Sequence, residues 1–168
     1  CEDPNDSLSL GQSFRSSVVP IYNSNYAVAI SYPYGREIQV HERATCSLMT
    51  SIAFDPNGPG PAAMEISPSG DYLVVGLRDP IDACASGGVA IVDLLSMEVV
   101  ADIALPIGVG DIKLLDGFYE PEIVVTLTGD GGSCFSSELN VINFNDLLAA
   151  GLNAPATLAT QLYGWGSS

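Results

Sequence analysis

Asp71-Tyr72-Leu73-Val74-Val75-Gly76-Leu77 and Pro121-Glu122-Ile123-Val124-Val125-Thr126-Leu127 are one apolar pattern written twice, 50 residues apart. The same offset carries Cys84 onto Cys134, and Val89-Ala90-Ile91-Val92-Asp93-Leu94 onto Leu139-Asn140-Val141-Ile142-Asn143-Phe144. Two apolar stretches and the cysteine between them therefore keep a single register, which marks the chain as an array of repeated units. A fainter copy lies upstream, where Ser17 to Val28 aligns with Ala63 to Val74 at an offset of 46. There Glu37-Ile38-Gln39-Val40 takes the place of the stretch around Val89–Val92, after a shorter loop without a cysteine.

Each unit reads as four short strands. In the middle unit these are Ala63–Ile66, Tyr72–Leu77, Val89–Asp93 and Val99–Leu105, rich in Val and Ile and bounded by Gly, Pro, Asp and Ser. Ser67-Pro68-Ser69-Gly70-Asp71 is a turn, since Pro fixes φ and Gly accepts a positive φ. Val89 and Ile91 on one side, with Ala90 and Val92 on the other, place apolar groups on both faces of the third strand. A sheet with one wet face would not use that pattern, so the unit is predicted to sit between two neighbours. The one departure from strands is Asn145-Asp146-Leu147-Leu148-Ala149-Ala150-Gly151, which predicts a helix of one to two turns replacing the last hairpin.

The stretches I-S-P-S-G-D-Y-L-V-V-G at Ile66–Gly76, G-G-V-A-I-V-D-L at Gly87–Leu94 and M-E-V-V-A-D-I-A-L-P-I-G at Met97–Gly108 resemble the repeat of YVTN-type β-propellers. The match is close for this unit, partial for residues 109–162 and weak for residues 14–60. The resemblance implies an all-β fold of four-stranded antiparallel blades around an axis, with about three blades at residues 14–60, 61–108 and 109–162. Residues 1–13 then form a tether and residues 163–168 a tail, in which Trp165 is a candidate anchor for a last strand. Closed propellers have about 4–8 blades, so the open faces call for further blades, self-association or a protein partner. The family hosts surface proteins, binding modules and enzymes alike, so the resemblance assigns no activity.

Composition bounds the rest. The chain has 168 residues, 47% of them apolar, which is enough for a core and too apolar for disorder. Twenty acidic residues against five basic ones leave a net charge of −15. That field repels phosphate backbones, so nucleic acid is excluded as a natural partner, and anionic membrane surfaces are disfavoured.

Cys1, Cys46, Cys84 and Cys134 show no C-x-x-C spacing, and His41 is the one histidine, so no zinc ligand set exists. An even cysteine count with a single lysine fits an oxidising compartment outside the cytoplasm. Cys1 opens a polar segment, Cys1-Glu2-Asp3-Pro4-Asn5-Asp6-Ser7, as in a mature bacterial lipoprotein held to a membrane by lipid. A disulfide at Cys1, or an arbitrary boundary there, are the other two readings.

The loops from Arg78 to Gly88 and from Thr128 to Glu138 are 11 residues each, longer than ordinary hairpin loops, and adjacent repeats bring them to one end. They hold the candidate binding residues Asp79, Asp82 and Asp130, and the candidate disulfide partners Cys84 and Cys134. Free thiols and a redox or metal role remain open for the two cysteines, because a disulfide needs their Cα atoms within roughly 7 Å. Gly129-Asp130-Gly131-Gly132 resembles part of a calcium loop but lacks the full spacing, so no metal and no cofactor are expected.

No G-x-S-x-G is present, His41 lies in a charged surface stretch, and Glu120 and Glu122 flank a turn proline where they are solvated. No catalytic residue is expected. The leading expectation is an exported, non-catalytic module for protein–protein interaction or structural assembly. The alternative is a piece of a lactonase- or hydrolase-type propeller whose site lies partly in further blades.

Overall fold

A computed structural model describes residues 18–20, 26–31, 36–42, 44–45, 47–82, 84–116, 120–128 and 137–164. The described residues form three four-stranded antiparallel sheets, each a simple meander. The first holds β1 (Val18–Pro20), β2 (Tyr26–Ser31), β3 (Glu37–Glu42) and β4 (Leu48–Ala53). The second holds β5 (Gly60–Ile66), β6 (Tyr72–Arg78), β7 (Gly87–Asp93) and β8 (Glu98–Leu105). The third holds β9 (Val109–Asp116), β10 (Pro121–Thr128), β11 (Ser137–Asn143) and β12 (Ala159–Gly164). The first strands of successive sheets are neighbours, β1 beside β5 and β5 beside β9.

The strands of the middle sheet follow the pattern read from the sequence, with longer ends. β5 starts at Gly60 because a register shift between Pro61 and Ala63 absorbs a proline that cannot donate to the ladder. The turn after it closes as expected: the Gly70 N–H donates to the Ser67 carbonyl at 2.8 Å, with Gly70 at φ 80°. β12 runs to Gly164, two residues beyond the end read for the third unit.

Two cores lie on the two sides of the middle sheet. Leu73, Val75, Leu77, Ala90 and Val92 face the first sheet, where they meet Ile38, Val40 and Ile52. Val74, Val89, Ile91, Ala101 and Ile103 face the third, where they meet Ile112, Ile123, Val125, Leu127 and Ile142. Each fully buried Val, Leu or Ile contributes about 1.5–3 kcal/mol, so the doubly covered middle sheet is the anchor of the fold. Gly76 makes the close approach possible, since a Cβ there would stand 2.5 Å from Val109 Cγ1 on β9.

The helix, α1, spans Phe144–Ala150 and starts one residue before the predicted segment. Its N-cap is Asn143, whose Oδ1 accepts from the Asp146 N–H at 2.9 Å, and not Asn145. Phe144 sets this register, because it is buried in the core and meets the Tyr72 ring edge-on at 5.7 Å. After Gly151 the chain crosses to the rim of the second sheet. The Asp102 N–H donates to the Gly151 carbonyl at 3.2 Å and the Ala154 N–H to the Asp102 carbonyl at 2.8 Å. This short parallel pairing of Ala154 with Ile103 covers part of the outer strand β8, an edge that would otherwise invite another chain.

Lys113 ties the first strands of the second and third sheets, its Nζ donating to Glu65 Oε2 at 2.7 Å. The hydrogen bond and charge of Glu65 raise the Lys113 pKa above its usual value. The stabilisation is therefore complete below the unfolded lysine pKa and lost as pH rises through the raised one. Both groups reach solvent, so the pair is worth about 0–1 kcal/mol.

Candidate functional site

Two ends of the sheets carry candidate residues. At one end the loop between β6 and β7 is organised by its own aspartates. Asp79 Oδ1 accepts from the N–H groups of Ile81 and Asp82, both at 2.8 Å, and Asp82 Oδ1 accepts from the Cys84 N–H at 2.9 Å. These are Asx turns in series, where a side chain supplies the acceptor that a strand partner would otherwise provide. The backbone N–H groups of Asp82 and Ile81, with a smaller share from the Arg36 charge, hold the Asp79 carboxyl below the usual carboxylate range.

Cys84 is half-buried and disulfide-bonded. Its partner lies outside the described residues, as do Cys1, Cys46, Cys134 and Asp130. Asp79 and Asp82 thus build the loop that presents Cys84, and among the described residues no group of three His, Cys, Asp or Glu side chains is placed to hold a metal.

A pH-dependent loop follows from this geometry. Asp79→Ala should loosen the loop around Ile81 and Asp82 at a cost of about 1 kcal/mol, by analogy with the loss of a capping side chain. The lowered Asp79 pKa stabilises the fold above the unfolded carboxylate pKa, and that contribution is lost as pH falls through the folded value. Amide NMR of Ile81 and Asp82 should show the wild-type loop opening in acid. In Asp79→Asn the amide oxygen still accepts, so the acid step should vanish. Identical acid titration of these amides in both proteins would contradict the assignment.

The opposite end holds a cleft of about 440 Å³ between the second and third sheets. One wall is the β5–β6 turn, with Ser67, Pro68 and Ser69; the other is formed by Asp116, Glu120 and Pro121 beside the start of α1. Between them lie Tyr72, Leu114, Phe144 and Leu148. The turn is braced internally: Ser67, 5% exposed, accepts the Tyr72 N–H on its hydroxyl at 3.1 Å, and its Oγ lies 3.1 Å from Ser69 Oγ. Asn143 links helix and rim, since the side chain that caps α1 also donates from Nδ2 to Glu120 Oε2 at 2.6 Å.

The cleft has an apolar interior and an acidic rim, and among the described residues its lining contains no histidine, cysteine or lysine. The Ser67 hydroxyl is engaged within its turn, with the Tyr72 N–H and Ser69 Oγ. Such a site is suited to holding an apolar group next to a cation.

Sequence reasoning placed Glu120 and Glu122 in solvent, and both are exposed. It did not find the cleft, whose walls come from two repeats and a helix cap; the conspicuous signal, the proline-glycine turn at Ser67–Asp71, was read only as a turn. His41 lies within β3, which continues to Glu42, with Nε2 3.2 Å from Gln39 Oε1. Gln39 Nε2 in turn donates to Glu37 Oε1 at 2.8 Å, so the histidine belongs to a polar row along one sheet face.

No family model matches this chain, and no curated protein matches it in sequence. Among solved structures it is similar to hydrazine synthase of Kuenenia stuttgartiensis, with 15% identity and a TM-score of 0.59 over 83% of this chain and 33% of that one. It is also similar to U3-55K, with 13% identity and a TM-score of 0.57 over 94% of this chain and 41% of that one. Both neighbours are propeller-like. The fold is propeller-like. At these identities the likeness speaks for architecture alone, and the chain spans well under half the length of either neighbour.

Proposed function

We propose that this chain is part of an exported β-propeller of YVTN type that works without catalysis, as a protein–protein interaction or structural module. The observation that carries the reading is the contrast between its sheets. The middle sheet is covered on both faces, whereas no other described sheet covers the outward face of the third, on which Val124, Thr126, Leu139 and Val141 are half-buried and Leu115 is 50% exposed. A propeller-like sheet with such a face is completed by a further blade or by a protein partner.

The bonded state of Cys84 supports an oxidising compartment, because structural disulfides persist outside reducing cytosol. Pairing of Cys84 with Cys134 across neighbouring repeats, and lipid on Cys1, belong to the same proposal.

Intact mass of the native protein before and after reduction is the test. A mass above the 17.5 kDa of this chain, shifting on reduction, is expected, and peptide mapping would assign the excess to lipid or to further blades. An unshifted bare mass together with turnover of a panel of lactones would replace this reading with an enzyme.

A further inference from the structure

We infer that the cleft between the second and third sheets is the docking site for a protein segment that offers one apolar or aromatic side chain beside a lysine or arginine. This rests on the interaction-module reading above and gives that partner a chemistry. Three observations converge. The cleft, about 440 Å³, lies in the size range of ligand pockets, and Tyr72, Leu114, Pro121 and Leu148 along it are only half-buried, so apolar surface remains for a guest. Tyr72 and Phe144 already meet edge-on, with an interplanar angle of 65°, and an inserted ring can extend that packing.

The rim supplies the second half of the recognition. Asp116 and Glu120 are exposed, and the ion pair among the described residues is Lys113 with Glu65, so neither rim carboxylate is paired with a described cation. Asn143 holds Glu120 in place. A net charge of −15 repels anionic guests and draws cationic ones over longer range.

The apolar interior and the charged rim are separate, so apolar and cationic groups must sit on adjoining positions of the guest. Solvent-exposed ion pairs are individually weak, too weak to hold a small amphiphile by themselves. A peptide adds contacts along the rim with Ser69 and Asn145, both exposed.

The test is a titration of the full chain, followed by amide NMR, with the acetylated and amidated peptides Gly-Arg-Phe-Arg-Gly and Gly-Glu-Phe-Glu-Gly. The arginine peptide should bind about tenfold or more tightly than the glutamate peptide, shifting residues around Tyr72 and Leu148, and should weaken with added salt. Asp116→Asn with Glu120→Gln, which keeps an acceptor for Asn143, should weaken it about 5–20-fold and reduce its salt dependence. Asn145→Trp fills the cleft from an exposed helix position and should abolish binding without changing the thermal transition.

Equal binding of the two peptides would overturn the proposal. So would binding that survives Asn145→Trp, or phenethylamine binding as tightly as the arginine peptide. None of these results bears on the mass and lactone measurements, so the docking proposal can fail while the module reading stands, and the two failures are read separately.

Discussion

Gly87→Ala should leave little or no folded protein, whereas Gly76→Ala should leave a folded but weakened one. Both glycines sit where strands approach too closely for a side chain, and the two differ in what a Cβ would meet. At Gly87 it would lie 2.5 Å from the Leu77 carbonyl oxygen, 2.7 Å from Gly108 Cα and 2.8 Å from the Ile107 carbonyl oxygen. All three are backbone atoms, which cannot turn aside, so the link between β8 and β9 would have to move and take the third sheet with it. The cost belongs at or above the top of the range for overpacking, about 3 kcal/mol.

At Gly76 the obstacle is Val109 Cγ1, at 2.5 Å, with Val109 Cβ at 3.1 Å. A side chain can be trimmed. The double variant Gly76→Ala with Val109→Ala should therefore recover part of the loss, with a coupling of about 1–2 kcal/mol between the sites. Urea unfolding followed by far-UV circular dichroism reads both effects. A Gly87→Ala protein as stable as the parent would mean that the second and third sheets do not pack as described.

Leu147→Ala should remove about 2–5 kcal/mol of stability, the range for emptying a buried leucine site. Leu147 is fully buried in the core between the second and third sheets, on α1, which packs against β8, β10 and β11. Alanine is the better helix former, so the loss cannot be charged to α1 itself and must come from the cavity. For a protein of this size each kcal/mol moves the midpoint by about 2–4 °C, so a drop of roughly 5–20 °C is expected in a thermal scan. Leu152→Ala is the control: Leu152 is 58% exposed just after the helix, and its removal should change stability by no more than about 0.5 kcal/mol. Equal effects at the two leucines would show that α1 is not part of the core.

The 50-residue repeat foretold which segments would be equivalent. β6 and β7 recur as β10 and β11, and Val124 pairs with Val141 as Val74 pairs with Ile91. Apolar residues on both faces of the Val89–Asp93 stretch foretold burial on both sides, because a strand has two faces and each apolar one needs cover. The helix was legible from its leucines, alanines and closing glycine, though its cap was misplaced by two residues. Asn143 and Asn145 are chemically alike, and the burial of Phe144 against Tyr72 decides between them.

Much of the candidate site was hidden for a related reason. Asp79 and Asp82 were visible as loop aspartates, but their acceptor role depends on a backbone path that composition does not specify. The cleft unites Ser67, Asp116, Glu120 and Phe144, which are far apart in sequence and meet only because the third sheet docks on the second.

Local pattern, then, determined the strands, their repeat and which faces are apolar, since strand period and turn chemistry act over a few residues. The tertiary structure alone decided what each face meets: Gly76 beneath Val109, Gly87 against the Gly108 backbone, the segment after Gly151 laid along β8, and an acidic rim around two aromatic rings. Those contacts depend on how sheets stack, and close packing settles stacking across long separations in the chain, where no neighbouring residue carries the information.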